Sequence, residues 1–247
     1  IIYPDPNAKY IQKIRGLTTE DIPILKQECP EIKNISAQVL DITQVGYKTK
    51  SVTTHLEGTT PNSAELRNWK ISEGRYLWER DIEEHRKVCI LGAKLARILF
   101  DKENPVGNSI VIENTPYSVI GVLEPKGNVL NYDYDDRAII PLSTAQQRSS
   151  TRDGLDALVI AAISSDQIPQ LAQKVSSVLK RAHGIENVRV WTQDEYLQQR
   201  EKILLAFQIL LGSLAIISLM VGGIGIMNIM LAAVHARIRE IGIRKAV

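Results

Sequence analysis

Three aspartates close together are the side chains whose type and spacing are best suited to chemistry. Asp133, Asp135 and Asp136 lie within four residues, and carboxylate oxygens are the ligands that Ca²⁺ prefers. A calcium loop also needs an ordered glycine and a distal glutamate, and this segment has neither at the required position. We therefore predict a solvated acidic loop here rather than a metal site.

Motifs for nucleotide binding and covalent catalysis are absent from the sequence. A phosphate-binding loop places its lysine directly after a glycine, whereas Lys126 precedes Gly127. The four histidines are far apart and form no zinc-protease motif, and no Gly-x-Ser-x-Gly segment marks a nucleophile. The sequence predicts no catalytic residue, no metal ligand and no cofactor-binding residue in this chain.

The chain has two cysteines, Cys29 and Cys89. Their number and spacing fit neither a disulfide framework nor a zinc knuckle. A single disulfide between them in an oxidising compartment stays open as an alternative. The apolar neighbours of Cys89 indicate, more simply, a buried strand residue.

Charge is distributed unevenly along the 247 residues. Residues 203–236 contain no Lys, Arg, Asp or Glu, and the part before them carries 26 basic and 27 acidic residues. A nearly neutral body lacks the basic surface of a nucleic-acid-binding protein. As a helix, the uncharged run would be about 50 Å long, more than the roughly 30 Å hydrocarbon core of a bilayer. We predict a stalk and transmembrane helix over 193–236.

Four of the five charged residues after this run are basic. An excess of Lys and Arg marks the cytoplasmic flank of a transmembrane helix. We therefore expect a protein of the inner (plasma) membrane, with residues 1–200 periplasmic or extracytoplasmic and 237–247 cytoplasmic. The charged residues are Arg237, Arg239, Glu240, Arg244 and Lys245.

Residues 237–247 also have the pattern of an amphipathic element. Ile238 and Ile241 lie three residues apart among the charges, which favours docking to a cytoplasmic partner. A basic stop-transfer segment that contacts lipid headgroups is the alternative; it would need the charges but not the isoleucine spacing.

Small residues are unevenly placed along the apolar run. Ser218 and Gly222 have the spacing that allows two helices to approach closely, and Asn228 is a polar group that needs a partner inside a membrane. We therefore predict packing in a helix bundle rather than a passive single anchor. The predicted packing residues are Ser218, Gly222, Gly223, Gly225 and Asn228.

The body has the pattern of an α+β fold. Residues 35–47 and 51–56 alternate and are rich in β-branched residues, as half-buried strands require. Residues 165–184 keep helical spacing of apolar side chains. Two strand-helix-strand segments, 18–56 and 155–192, bracket a β-rich middle. We predict an α/β subdomain with a second subdomain inserted into it.

Two stretches near the end of the chain resemble a known family. Residues 221–230 (VGGIGIMNIM) and 239–247 (REIGIRKAV) resemble the second transmembrane helix and cytoplasmic extension of MacB-like ABC transporter permeases of the FtsX superfamily. Motifs in the body resemble the family's periplasmic core domain; they include Trp69, Glu73-Gly74-Arg75, Asp81, 88–92, Leu99-Phe100, Pro105-Val106-Gly107, 117–122, Ile140-Pro141-Leu142 and His183-Gly184.

The resemblance implies a domain layout. A porter-like subdomain would comprise residues 1–57 and 149–192, with a sabre-like subdomain, 58–148, inserted in it. The stalk and transmembrane helix would follow at 193–236, and a cytoplasmic coupling segment at 237–247. A further transmembrane helix is expected before residue 1 and two more after residue 247.

The same resemblance implies partners and a mechanism. An ABC ATPase domain or subunit would bind ATP and Mg²⁺, a second permease copy would complete a dimer, and a periplasmic adaptor could lead to an outer-membrane channel. ATP-driven closure would then expel a periplasmic substrate. The family's usual Glu-Arg-Thr is replaced here by Ala236-Arg237-Ile238, which removes one acidic contact. The implied ATPase-coupling residues are Arg237, Arg239, Glu240, Ile241, Gly242 and Arg244.

Two alternatives remain open from the sequence. One is a lipoprotein-extracting permease similar to LolC/LolE proteins, which would share the fold. The other is a membrane-anchored binding or signalling module without a transport role, which would have no ATPase partner. Of the hypotheses about function, the sequence gives the least support to an enzyme.

Overall fold

The computed structural model describes residues 2–4, 16–129, 132–148, 154–183, 188–190 and 193–245. Within these ranges it leaves undescribed the side chains of 2–4, 128–129, 132, 183, 188–190, 193–202, 236 and 239–241. The chain forms two compact units, Ile1–Thr192 and Gln193–Val247. We call the first unit the body; the second consists of one long helix.

The described residues form the following strands and α-helices. The strands are β1 Ile2–Pro4, β2 Leu17–Thr18, β3 Ile32–Tyr47, β4 Lys50–Thr59, β5 Ile71–Gly74, β6 Val88–Leu91, β7 Ser109–Ile112, β8 Thr115–Leu123, β9 Asn128–Val129, β10 Tyr132–Asp133, β11 Arg137–Pro141, β12 Gly154–Leu155, β13 Ala157–Ala162 and β14 Val188–Val190. The helices are α1 Asp21–Glu28, α2 Ser63–Leu66, α3 Glu79–Glu83, α4 Ala93–Phe100, α5 Leu142–Arg148, α6 Ile168–His183 and α7 Gln193–Lys245.

A long hairpin arises from the two segments richest in β-branched residues. β3 and β4 pair antiparallel from Gln38 opposite Thr59 to Tyr47 opposite Lys50. Lys48 in the tight turn has a φ of 52°, a left-handed value that such two-residue turns require. The structure confirms the strands predicted over 35–47 and 51–56 and lengthens both.

Strand pairing closes part of the sheet into a ring. β3 pairs with β4, β4 with β11, β11 with β6, β6 with β8, β8 with β7, and β7 returns to β3. β13, β1 and β14 continue the sheet from β3, and β5 adds to β8. Two strands of the ring come from 1–57 and four from 58–148, so hydrogen bonds cross the predicted subdomain boundary. The division into two subdomains stays a prediction.

Side chains on the two faces of the ring strands form two apolar clusters. The larger cluster contains residues from all six ring strands, together with Leu95, Leu99 and Phe100 of α4. The smaller cluster contains Ile90 of β6 and Ile139 of β11, whose neighbours along each strand belong to the larger cluster. Residues such as Trp69 and Leu77, which precede and follow β5, cover it. Burial on both faces explains why β6 and β11 are apolar without alternation.

Two short helices lie where the sequence predicted none. α3 lies in the charged segment 79–87, which has no apolar helical periodicity, and α5 follows β11 directly. α5 packs against β4 so closely that a Cβ added to Gly58 would lie 2.0 Å from the Cβ of Ala145. Isolated helices of this length are unstable in water, so tertiary packing, which the sequence pattern does not show, decides whether they form.

Candidate functional site

The second unit is a helix long enough to cross a membrane. α7 has 53 residues, which corresponds to a length of about 80 Å. Its apolar part, Ile203–His235, has 33 residues and is not buried against the rest of the chain. This part exceeds the roughly 20 residues that span a bilayer, so about a dozen residues of the uncharged run extend beyond the hydrocarbon core.

The helix brings most of the predicted packing residues to one side. With about 100° of rotation per residue, Ser218, Gly222 and Gly225 lie within about 60° of one another, and Asn228 borders them. Gly223 lies on a different side, about 100° from Gly222. A Cβ added to Gly222 or Gly223 would meet no described atom within 4 Å apart from the nearby backbone of α7 itself.

The predicted coupling residues continue the same helix without a break, because α7 ends at Lys245. Arg237, Gly242 and Arg244 are exposed, whereas the side chains of Arg239, Glu240 and Ile241 are not described. By backbone position, residues 237, 240, 241 and 244 share one side of the helix, and 239 lies on the opposite side.

The body contains a buried charge network that the sequence did not indicate. Arg137 of β11 donates from Nη1 to Oε2 of Glu57 on β4 at 2.7 Å, and both side chains are almost fully buried. Gln38 also donates to Glu57, and it accepts a 2.8 Å hydrogen bond from Arg67. The indole nitrogen of nearby Trp69 is buried and has no hydrogen-bond partner among the described residues.

Arg137 makes further contacts within this network, which joins two strands that are far apart in the sequence. Arg137 also donates to the carbonyl oxygens of Tyr134 at 3.2 Å and Asp133 at 2.7 Å. Its guanidinium lies 5.8 Å from the ring centre of Trp69. Buried charges of this kind need both a partner and hydrogen bonds. Side chains alternate between the two faces of a strand, so the register of β4 and β11 places both residues on one face of the sheet; the sequence of β11 has no alternation that could have indicated this.

A second ion pair positions α3 in the body. Arg75 donates from Nη1 and Nη2 to the two carboxylate oxygens of Asp81 at 2.6 and 3.0 Å. The amide of Trp78 donates to the same carboxylate at 2.9 Å, and the Arg75 guanidinium lies 4.1 Å from the Trp78 ring centre. Burial alone would raise the pKa of Asp81. The hydrogen bonds from Arg75 and Trp78 and the charges of Arg75 and Arg86 together lower it.

Acid unfolding of the body should reveal this lowered pKa. The Asp81 carboxylate stabilises the fold above its unfolded-state pKa of about 3.9, and the stabilisation is lost as pH falls through the lower folded-state pKa. We expect Asp81→Asn to be less stable than the wild type at pH 7 and to lose less stability on acidification. Urea unfolding at pH 7 and pH 3 measures the difference. Parallel losses in the two proteins would contradict this role of Asp81.

The three loop aspartates have partners within the loop or close to it. Asp133 accepts hydrogen bonds from the amides of Asp135 and Asp136, at 3.0 and 3.1 Å, and pairs with Lys94. The carboxylate of Asp135 accepts hydrogen bonds from the backbone amides of Lys126 and Gly127. Among the described residues, no group of three or more His, Cys, Asp or Glu side chains is arranged to hold a metal ion. The carboxylates are instead used to shape the turn that caps α4.

Both cysteines are buried as free thiols. Burial raises the pKa of Cys29 and that of Cys89. Cys89 lies in β6, in agreement with its predicted place in a buried strand. Thiols with a raised pKa are poor nucleophiles at neutral pH, so the geometry indicates packing rather than chemistry.

Comparisons with known proteins agree with this architecture. A family described as the MacB-like periplasmic core domain matches residues 1–178. The pyoverdine export ATP-binding/permease protein PvdT of Pseudomonas aeruginosa is 34% identical over 245 residues, which cover 98% of this chain and 36% of that protein. The macrolide export ATP-binding/permease protein MacB of Rhodospirillum rubrum is 38% identical over 195 residues, which cover 78% of this chain and 30% of that protein.

A solved structure shares the fold of the body. The periplasmic region of MacB from Actinobacillus actinomycetemcomitans matches with a TM-score of 0.66 at 21% identity, covering 81% of this chain and 91% of that one. The predicted α+β fold is thereby confirmed. This chain spans little more than a third of the length of the curated relatives it matches. Because the family match covers more than half of the chain, this chain belongs to the MacB-like periplasmic core domain family of ABC transporter permeases.

Proposed function

We propose that this chain is the part of an ABC permease that couples ATP hydrolysis in the cytoplasm to substrate expulsion from the periplasm. The observation that carries the proposal is α7, a single helix that contains the apolar span and extends past it to Lys245. An unbroken helix resists bending, because each residue is held by backbone hydrogen bonds to the next turn. It can therefore transmit a displacement from one membrane face to the other.

Charge supports the proposed orientation and location. The four basic residues after the apolar run favour a cytoplasmic position for 237–247. The body would then lie in the periplasm and the chain in the inner membrane. The relatives PvdT and MacB are named for pyoverdine and macrolide export. For this chain we propose export as the function, and we name no substrate.

We propose the following partners. An ABC ATPase, fused or separate, would bind ATP and Mg²⁺ and contact the coupling segment. The outward-facing Ser218, Gly222, Gly225 and Asn228 side of α7 would pack in a bundle that includes a second permease copy. A periplasmic adaptor and an outer-membrane channel would complete an efflux path.

Reversing two charges tests the coupling role. Arg237 and Arg244 are exposed on the same side of α7, so Arg237→Glu with Arg244→Glu should repel acidic groups that now attract them. We expect about a fivefold loss of ATPase activity in the assembled transporter, the equivalent of about 1 kcal/mol. ATPase assays in proteoliposomes measure the loss.

The matched control reverses two exposed lysines of the body. Lys70→Glu with Lys180→Glu makes the same change in net charge at exposed sites of the body and should leave ATPase activity unchanged. If the α7 variant hydrolysed ATP at the wild-type rate, the coupling role of Arg237 and Arg244 would be wrong.

A further inference from the structure

One edge of β3 has a gap between its neighbouring strands. β4 covers the other edge from Gln38 to Tyr47. On the edge with the gap, pairing with β13 stops at Gln38, and pairing with β7 starts at Val45. No strand in the described part of the chain pairs with this edge over residues 39–44. We call these six residues the β3 gap.

Side chains occupy the hydrogen-bonding positions of the missing strand. The amide of Leu40 donates to Oδ2 of Asp156 at 2.7 Å, and that of Ile42 donates to Oδ1 of Asp41 at 2.8 Å. Further along, the carbonyl oxygen of Gln44 accepts from the amide of Glu113 at 3.1 Å. The backbone of the even-numbered residues therefore faces the gap, and backbone carbonyls of an added strand could replace the side-chain acceptors.

One face of the β3 gap borders an acidic groove. The groove has a volume of about 410 Å³, and Val39 and Leu56 are among its apolar lining residues. Its charged lining residues are three acids and one base, which leaves an excess of negative charge. These residues are Asp41, Glu113, Asp156 and Arg148.

The groove favours a cation for a further reason. Nη2 of Arg148 lies 3.1 Å from Oε2 of Glu113, so the one basic residue that lines the groove is already paired with an acidic one. Burial and the charge of Asp41 raise the pKa of Asp156, against the lowering by its hydrogen bond from Leu40. A positive side chain near the two aspartates would relieve that repulsion.

Two of the three side chains that alternate with Asp41 in the β3 gap are aliphatic, Leu40 and Ile42, and the third is Gln44; Leu40 also borders the groove. Because side chains alternate along a strand, Leu40 and Ile42 point away from the face that carries Asp41. The side chain of Ile42 is 65% exposed. A strand added to this edge would thus meet carboxylates on one face and aliphatic side chains on the other.

We propose that the β3 gap docks an extended segment of a partner protein in which basic residues alternate with apolar ones. The segment adds a strand between β13 and β7 through main-chain hydrogen bonds, as peptides do at other open sheet edges. Its basic residues enter the acidic groove, and its apolar residues pack on Leu40 and Ile42. The proposal is independent of the proposed transport function.

Two designed peptides test the proposal on the whole 247-residue chain in neutral detergent micelles. One is a nine-residue peptide of alternating Lys and Val, and the other alternates Glu and Val. Hydrogen exchange of the backbone amides is measured with and without each peptide. We expect the basic peptide to slow exchange at Leu40 and Ile42 about tenfold, because an added strand shields these amides. The acidic peptide should leave them unchanged.

Surface variants separate docking from unspecific adsorption. Ile42→Ser and Asp41→Asn should each weaken the protection by the basic peptide. Ile163→Ser is the matched control, since Ile163 is also 65% exposed but lies outside the β3 gap, and it should bind as the wild type does. Three outcomes would overturn the proposal: equal protection by both peptides, no protection of residues 39–44, or protection that persists in Ile42→Ser and Asp41→Asn.

Discussion

Replacing Arg137 by methionine is expected to lower the free energy of unfolding of the body by about 3–5 kcal/mol, because it leaves the buried Glu57 carboxylate without its main partner. The Arg137 side chain is fully buried and Glu57 is 1% exposed, so water cannot replace the lost hydrogen bonds. Methionine preserves much of the side-chain volume, which limits any contribution from a cavity. Urea unfolding of residues 1–192 measures the change.

Two further variants identify the cause of that loss. Glu57→Leu combined with Arg137→Met removes both charges and should be more stable than Arg137→Met alone, because no unpaired carboxylate remains. Lys33→Met breaks an exposed ion pair with Glu65 and should leave the unfolding midpoint essentially unchanged. If Arg137→Met unfolded at the wild-type urea concentration, the buried pair would have no role in stability.

Replacing Gly222 by leucine is expected to reduce the ATPase activity of the assembled full-length transporter about tenfold, through loss of helix packing worth about 1–2 kcal/mol. A Cβ at this position would meet no described atom outside the helix's own nearby backbone, so we expect the effect to come from a neighbouring helix. Small residues at such positions let two helix backbones approach closely, and a leucine separates them. Proteoliposome assays normalised to the amount of folded protein measure the loss.

The adjacent glycine provides the control. Gly223→Leu makes the same chemical change one residue further along, on a different side of α7, where a Cβ would likewise meet no described atom outside the helix's own nearby backbone. We expect activity close to that of the wild type. Equal losses in the two variants would contradict a packing surface on the Gly222 side and would point to helix propensity or insertion instead.

Periodicity along the chain was enough to predict much of the fold. The hairpin of β3 and β4, helix α6 and the long apolar helix lie within a few residues of their predicted positions. α3 and α5 were missed, because their stability depends on contacts such as the one between Ala145 and Gly58. The sequence alone identifies the candidate residues of α7. Their distribution over different sides of the helix follows only because the helix is continuous from Ser218 to Lys245.

The buried network could not be predicted from the periodicity of the sequence. Glu57 and Arg137 are 80 residues apart, and each looks like an ordinary charged residue in its own segment. They meet because β4 and β11 pair in parallel with His55 opposite Arg137. A shift of one residue in that register would place the two side chains on opposite faces.

The sequence by itself determined that an almost neutral body precedes an uncharged helix and a basic end, because charge and hydropathy are properties of consecutive residues. Those features predict a membrane crossing and its orientation without any tertiary contact. Only the tertiary structure decided that six strands close into a ring and that Arg137 is buried against Glu57. It also decided that no described strand pairs with one edge of β3 over residues 39–44. These features depend on the register between distant strands, and register is set by packing of the whole body rather than by any single segment.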